Sequence, residues 1–146
     1  MKVREVMNAS GSTVDSGASV KQAVKILAET QASDLMVVAG DGRFVGVLSE
    51  GDLIRAALPR YEEILQGGGN LTEAFEVFVD KGSALADKPI EPLVIKEALT
   101  VAPQDDVLKA ASAMVRKQIR RLPVVESGRL VGTISRADVC RAVLGD

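Results

Sequence analysis

Apolar positions along the chain change period several times, and each change marks an element. Val20, Val24, Leu27 and Ala28 recur at helical spacing, with Ser19 just before them as an N-cap. Leu35-Met36-Val37-Val38 is too short for a helix and rich in β-branched residues, so it predicts a strand. Gly40-Asp41-Gly42 is a turn signal, and Phe44-Val45-Gly46-Val47-Leu48 reads as the second strand of a hairpin. A helix is expected from Gly51 to Leu58. The same order then returns. Asp106 precedes Val107, Ala111, Met114 and Val115 at helical spacing, and Leu122-Pro123-Val124-Val125 follows. Ser127-Gly128 leads into Leu130-Val131-Gly132-Thr133-Ile134, and a helix is expected from Ala137 to Leu144. Gly145 stands just past its end, where a helix C-terminus favours glycine.

This recurrence is a repeat in the residues themselves. Thr13-Val14 returns as Thr100-Val101, Val20 as Val107, Ala23 as Ala110 and Gln31 as Gln118, all at a spacing of 87. Leu35 returns as Leu122 and Val37-Val38 as Val124-Val125 at the same spacing. One residue is lost in the turn, and the spacing becomes 86. Gly42-Arg43 then matches Gly128-Arg129, Val45-Gly46 matches Val131-Gly132, Ser49 matches Ser135, and Asp52 matches Asp138. Each unit reads as strand, helix, strand, strand, helix. One unit alone buries too little apolar surface, so two are expected to pack as one pseudo-symmetric domain. The reading divides the chain into a first repeat over 1–60, an insert over 61–87 and a second repeat over 88–146.

The insert differs in charge. Lys81 stands against Glu62, Glu63, Glu73, Glu76, Asp80 and Asp87, an acidic middle between more basic flanks. Tyr61 to Leu65 and Leu71 to Val79 read as helices interrupted by Gly67-Gly68-Gly69-Asn70, and Gly82-Ser83 is expected to end the segment. Leu71, Ala74, Phe75 and Phe78 form an apolar stripe suited to core or dimer packing. The glycine run lacks the following Lys-Ser/Thr of a phosphate loop, so it reads as a turn.

Composition narrows the function. The chain has 146 residues, 47% hydrophobic and 26% charged, ordinary for a globular protein. It has no His and no Trp, and one Cys. The lack of His removes His-based nucleophile systems and most zinc and haem ligand sets. A net charge of −2 argues against nucleic acid as a partner. No leader pattern opens the chain and no apolar run reaches the length of a membrane span, so a cytoplasmic protein without a membrane partner is expected. Cys140, among apolar neighbours, is expected to be buried and unreactive.

Both repeats end alike, in Gly46-Val47-Leu48-Ser49-Glu50-Gly51-Asp52 and Gly132-Thr133-Ile134-Ser135-Arg136-Ala137-Asp138. A strand delivers a hydroxyl, and three residues later a carboxylate stands in the first helical turn. One reading is helix capping. The other is ligand binding, because a carboxylate offers two acceptors side by side to a ribose diol, with helix N–H groups nearby for a phosphate.

In these repeated residues the chain resembles a tandem pair of CBS domains, a Bateman module, over about 3–60 and 88–146. The resemblance implies an α+β fold of two pseudo-symmetric β-α-β-β-α repeats, with the helical insert between them. It implies adenosine-containing ligands (AMP, ADP, ATP or S-adenosylmethionine) in clefts between the repeats, no required cofactor, and no catalysis. One ligand would place its ribose on Ser135 and Asp138 and its adenine near Val14 and the backbone of Ala32, Ser33 and Asp34. Its mirror would use Ser49 and Asp52, with Val101 and the backbone of Ile119, Arg120 and Arg121 around the adenine. Arginine pairs well with phosphate, so the Asp52 cleft is expected to be the better site for phosphorylated adenosine. At the other cleft Asp34 would repel phosphate and Arg136 would offset it. The family pattern has Pro before the valine pair; Pro123 fits and Met36 departs, which bears on the local strand geometry. The resemblance also implies a homodimer and a regulated protein partner. The rival reading is a structural or interaction domain that dimerises and whose nucleotide sites are degenerate.

Overall fold

The computed structural model describes residues 1–9 and 11–145. In the first repeat, β1 (Thr13–Asp15) leads to α1 (Val20–Thr30), β2 (Asp34–Val38), β3 (Phe44–Ser49) and α2 (Glu50–Ala57). The insert forms α3 (Tyr61–Gln66) and α4 (Leu71–Leu85). The second repeat continues with α5 (Val107–Arg116), β4 (Arg121–Glu126), β5 (Arg129–Ser135) and α6 (Arg136–Val143). The N-caps fall where short polar side chains stand: Ser19 accepts from the Gln22 N–H, and Asp106 from the Leu108 N–H.

β1 pairs with β2 in parallel, and β2 with β3 in antiparallel fashion. The second repeat keeps the β4–β5 hairpin, but its first strand shrinks to one bridge between Val101 and Val124. The physical reason lies at Met36 and Pro123. The Met36 N–H donates to the Ser12 carbonyl at 3.0 Å. Pro123 has no N–H, so only its carbonyl takes part, accepting from Val101 at 3.1 Å. Met36 therefore leaves the first strand pairing more complete.

The segments preceding the two units are exchanged. The chain before β1 packs on the second repeat: Val3 donates to the Asp105 carbonyl at 2.8 Å, and Asn8 trades two 2.8 Å backbone bonds with Thr133. The chain after α4 packs on the first repeat: Val20 donates to the Lys88 carbonyl, and Ile95 trades bonds of 2.9 and 3.1 Å with Val47. Each exchanged segment covers an open sheet edge, β5 in one case and β3 in the other. Gly46 and Gly132 permit this approach, since a Cβ on Gly46 would lie 2.3 Å from the Ile95 carbonyl oxygen, and on Gly132 2.8 Å from that of Asn8.

Two apolar cores result. Val14, Leu35, Val37, Leu48 and the exchanged Ile90 fill one. Val101, Leu122, Val124, Ile134 and the exchanged Val3 fill the other. Strand alternation turns Met36, Pro123 and Thr133 away from these cores, yet all are buried, because the second faces of the two sheets meet between the repeats.

Two expectations are corrected. Gly82-Ser83 does not end the insert helix, since α4 runs on to Leu85. Lys81 braces this last stretch, donating to the Leu58 carbonyl at 3.2 Å and to Glu63 at 3.1 Å. Cys140 is exposed rather than buried, because α6 turns Asp138 and Val139 inward and Cys140 falls one step outside that face. The apolar stripe of α4 contributes no buried residue; Leu71 and Phe75 are exposed and Phe78 is half-buried.

Candidate functional site

The two Ser-x-x-Asp endings are complete capping boxes. The Asp52 N–H donates to Ser49 Oγ at 3.1 Å, while Asp52 Oδ2 accepts the Ser49 hydroxyl at 2.7 Å. Its Oδ1 accepts from Arg55 at 2.7 Å. In the second repeat the Asp138 N–H donates to Ser135 Oγ at 3.1 Å, and Asp138 Oδ2 accepts the Ser135 N–H at 2.9 Å. Arg141 donates to Asp138 Oδ1 at 2.9 Å. Burial pushes both carboxyls up, but the Ser hydrogen bonds and the Arg guanidinium outweigh it and hold each below the usual range. Both stay ionised at neutral pH. Capping leaves acceptor lone pairs over, so it does not compete with a diol for the whole carboxylate.

Two cavities lie between the repeats beside these endings. The first, about 270 Å³, is walled by Val47, Ile95, Ala98, Leu99, Ile119, Leu122 and Pro123, with Asp34, Glu97 and Arg121 at its polar side. Ser49 follows Val47 by two residues on β3 and pairs in register with Asp34, which sets the Ser49/Asp52 box beside this cavity. The second, about 510 Å³, is lined by Gln31, Ala32, Ser33, Arg120, Arg121, Ser135, Arg136 and Ala137. It is basic where the first is apolar, and Arg121 lines both.

The placement of the other expected residues follows from the pseudo-symmetry. The Glu50 N–H donates to the Ser33 carbonyl and the Arg136 N–H to the Arg120 carbonyl, both at 3.0 Å, so the starts of β2 and β4 meet the starts of α2 and α6 in matching ways. This brings Ile119 and Arg121 to the apolar cavity, and Ala32, Ser33 and Ser135 to the basic one. Arg120, expected beside Asp52, lies in the basic cavity, and Arg121 spans the two. Arg136 is partly engaged, donating to the Ile119 and Met114 carbonyls at 3.0 Å each. Val14 and Val101 are not brought to either cleft: both are buried in the two cores. Asp34, expected beside the adenine of the Ser135 cleft, lines the apolar cavity instead, and its carboxyl is raised, chiefly by burial, with Arg121 acting against that.

Ile95, Ala98 and Leu99 line the apolar cavity although the sequence singled out none of them within its second repeat over 88–146. Their signal was the spacing of 87 itself, which pairs Ile95 with Asn8. Among the described residues no three of His, Cys, Asp and Glu cluster as a metal site. No helix of the described residues is long and apolar enough to cross a membrane.

Residues 3–59 and 90–145 each match the CBS domain, and the chain belongs to the CBS-domain family as a tandem pair. A crystal structure of CBSX2 in complex with AMP superposes with a TM-score of 0.74 at 27% identity, covering 98% of this chain and 96% of that one. The chloroplastic CBS domain-containing protein CBSX2 of Arabidopsis thaliana is 30% identical over 134 residues, 86% of this chain and 56% of that protein. An A-adding tRNA nucleotidyltransferase from Aquifex aeolicus is 26% identical over the whole chain, which spans 15% of its length. A homoserine O-acetyltransferase from Methanococcoides burtonii is 28% identical over 142 residues, and the chain spans 24% of it. In relatives named as enzymes, the likeness thus covers a minor part of the protein.

Proposed function

We propose that the chain is a regulatory module that binds an adenine nucleotide between its repeats. One observation carries this: an apolar cavity of about 270 Å³ is walled by Val47 of the strand that leads to the ionised Asp52, and Arg121 lines both it and a basic cavity. Adenine suits the walls of Val47, Leu99, Ile119 and Pro123, the ribose diol suits Asp52, and a 5′-phosphate suits Arg120 and Arg121. The AMP complex of CBSX2 supports this ligand class. S-adenosylmethionine fits less well, because its sulfonium cation would meet the arginines that favour phosphate.

Ligand bound across the two repeats favours one arrangement of the repeats over others, and a protein partner reads that shift. The chain acts as a homodimer. Val24, Ile54 and Leu58 near α1 and α2, with Leu108, Val115, Val143 and Leu144 near α5 and α6, leave apolar side chains outside for a second copy. Isothermal titration of AMP, ADP, ATP and S-adenosylmethionine into the wild type, Asp52→Ala and Asp138→Ala tests the reading. AMP binding should fall more with Asp52→Ala. A larger loss with Asp138→Ala would reverse the choice of cleft. No adenosyl compound binding below about millimolar, with a tight dimer in sedimentation, would favour an interaction domain instead.

A further inference from the structure

The two clefts are built from matching positions, yet their contents differ. In the Asp52 cleft, Val47 on β3 faces Ile119, Arg121 and Pro123, and a cavity remains. Shifted by the repeat, the positions that match Val47, Ile119, Arg121 and Pro123 are Thr133, Ala32, Asp34 and Met36. There Arg121 reaches along its own sheet and donates to Thr133 Oγ1 at 2.8 Å. Its counterpart Asp34 is short and as a carboxylate has no proton to donate, and the counterpart of Thr133 is Val47, which has no side-chain oxygen. No equivalent tether can form on the Asp52 side.

The tether joins residues that line two different cavities. Arg121 lines the basic cavity at one end, while Thr133 lines a separate cavity of about 240 Å³ with Gly11, Thr13 and Gly132 at the other. Met36 is fully buried but belongs to neither core, so it lies on the face between the sheets. Gly11 closes in further, since a Cβ on it would stand 2.8 Å from the Thr133 methyl.

We infer that Arg121 is a plug as well as a phosphate ligand: anchored on Thr133, it closes the Ser135 cleft to a nucleoside, so that each chain takes one nucleotide, in the Asp52 cleft. This rests on the binding function proposed above. Adenosine is the suitable probe, because Arg121 also faces the phosphate of AMP and its loss would weaken AMP for that separate reason. Calorimetric titration of the full chain should give one adenosine per wild-type chain and two per Arg121→Ala chain. A wild type that takes two, or an Arg121→Ala chain that still takes one, overturns the inference and leaves the binding function intact. No adenosine or AMP bound by either chain overturns the binding function, and this inference with it. If Arg121→Ala fails to fold by circular dichroism, Thr133→Val carries the same test. It keeps the volume of residue 133 and removes the anchor, so it should also raise the count from one to two.

Discussion

Replacing Gly46 by alanine puts the exchanged-segment architecture to a graded test. The added Cβ would stand 2.3 Å from the Ile95 carbonyl oxygen and 2.7 Å from Val94 Cγ1. Real Cβ atoms do not approach backbone oxygen so closely, so the 94–96 segment must move off β3. Two backbone hydrogen bonds, Val47 to Ile95 and back, are lost with it. At about 1 kcal/mol each they amount to ~2 kcal/mol. The reduced freedom of the unfolded chain offsets roughly 0.5 kcal/mol of that. For a domain of this size the remainder lowers the melting temperature by about 3–6 °C. Gly132→Ala is the internal control. Its nearest approach, 2.8 Å to the Asn8 oxygen, is relieved by a smaller movement, so it should cost less. Differential scanning calorimetry of both variants reads the order. Gly46→Ala should also weaken AMP, because Val47 and Ile95 wall the apolar cavity. Equal stability of Gly46→Ala and the wild type, or a reversed order, would refute the reasoning.

Further outcomes follow from other residues. Val3→Ala should destabilise by about 1–3 kcal/mol although it lies near the chain start, because Val3 is fully buried in the second core; hydrogen exchange should show opening at β4 and β5 rather than β2 and β3. Asp34→Asn should melt higher than the wild type at pH 7. The Asp34 carboxyl is raised by burial, so its stabilising contribution is complete below the unfolded value and lost as pH rises; the difference should vanish near about pH 3. Glu63→Gln should act oppositely. The backbone N–H of Arg60, with Lys81 and the Arg60 side chain, lowers the Glu63 carboxyl to about 2, so its contribution is present above the unfolded value of 4.5 and fades as pH falls toward 2. Thermal melts at pH 7 and near pH 2 should show the two chains diverging at the former and converging at the latter.

Much of the fold was legible because its signals were local or repeated. Ser19, Ser49, Asp106 and Ser135 announce helix starts through their own side chains, and the valine-rich runs place the hairpins. The exchange of the lead-in segments was not legible. It depends on hydrogen bonds between positions far apart in sequence, such as Asn8 with Thr133, and on close approaches at Gly46 and Gly132 that leave only two glycines in the sequence. The same is true of the cleft. The paired Ser and Asp residues stood out through repetition, whereas Ile95 and Leu99 became visible only once their segment lay against β3. Val14 and Val101 also repeat, but strand alternation turns them into the cores. Identity between repeats marks packing as readily as binding, and the register of the strands separates the two.

A crystal structure of the protein grown with AMP tests the central claim most directly. The base should lie against Val47, Leu99 and Ile119, with the ribose hydroxyls on Asp52 and the phosphate beside Arg120 and Arg121. A base beside Ala32 with its ribose on Asp138, or clefts that stay empty at saturating AMP, would contradict it.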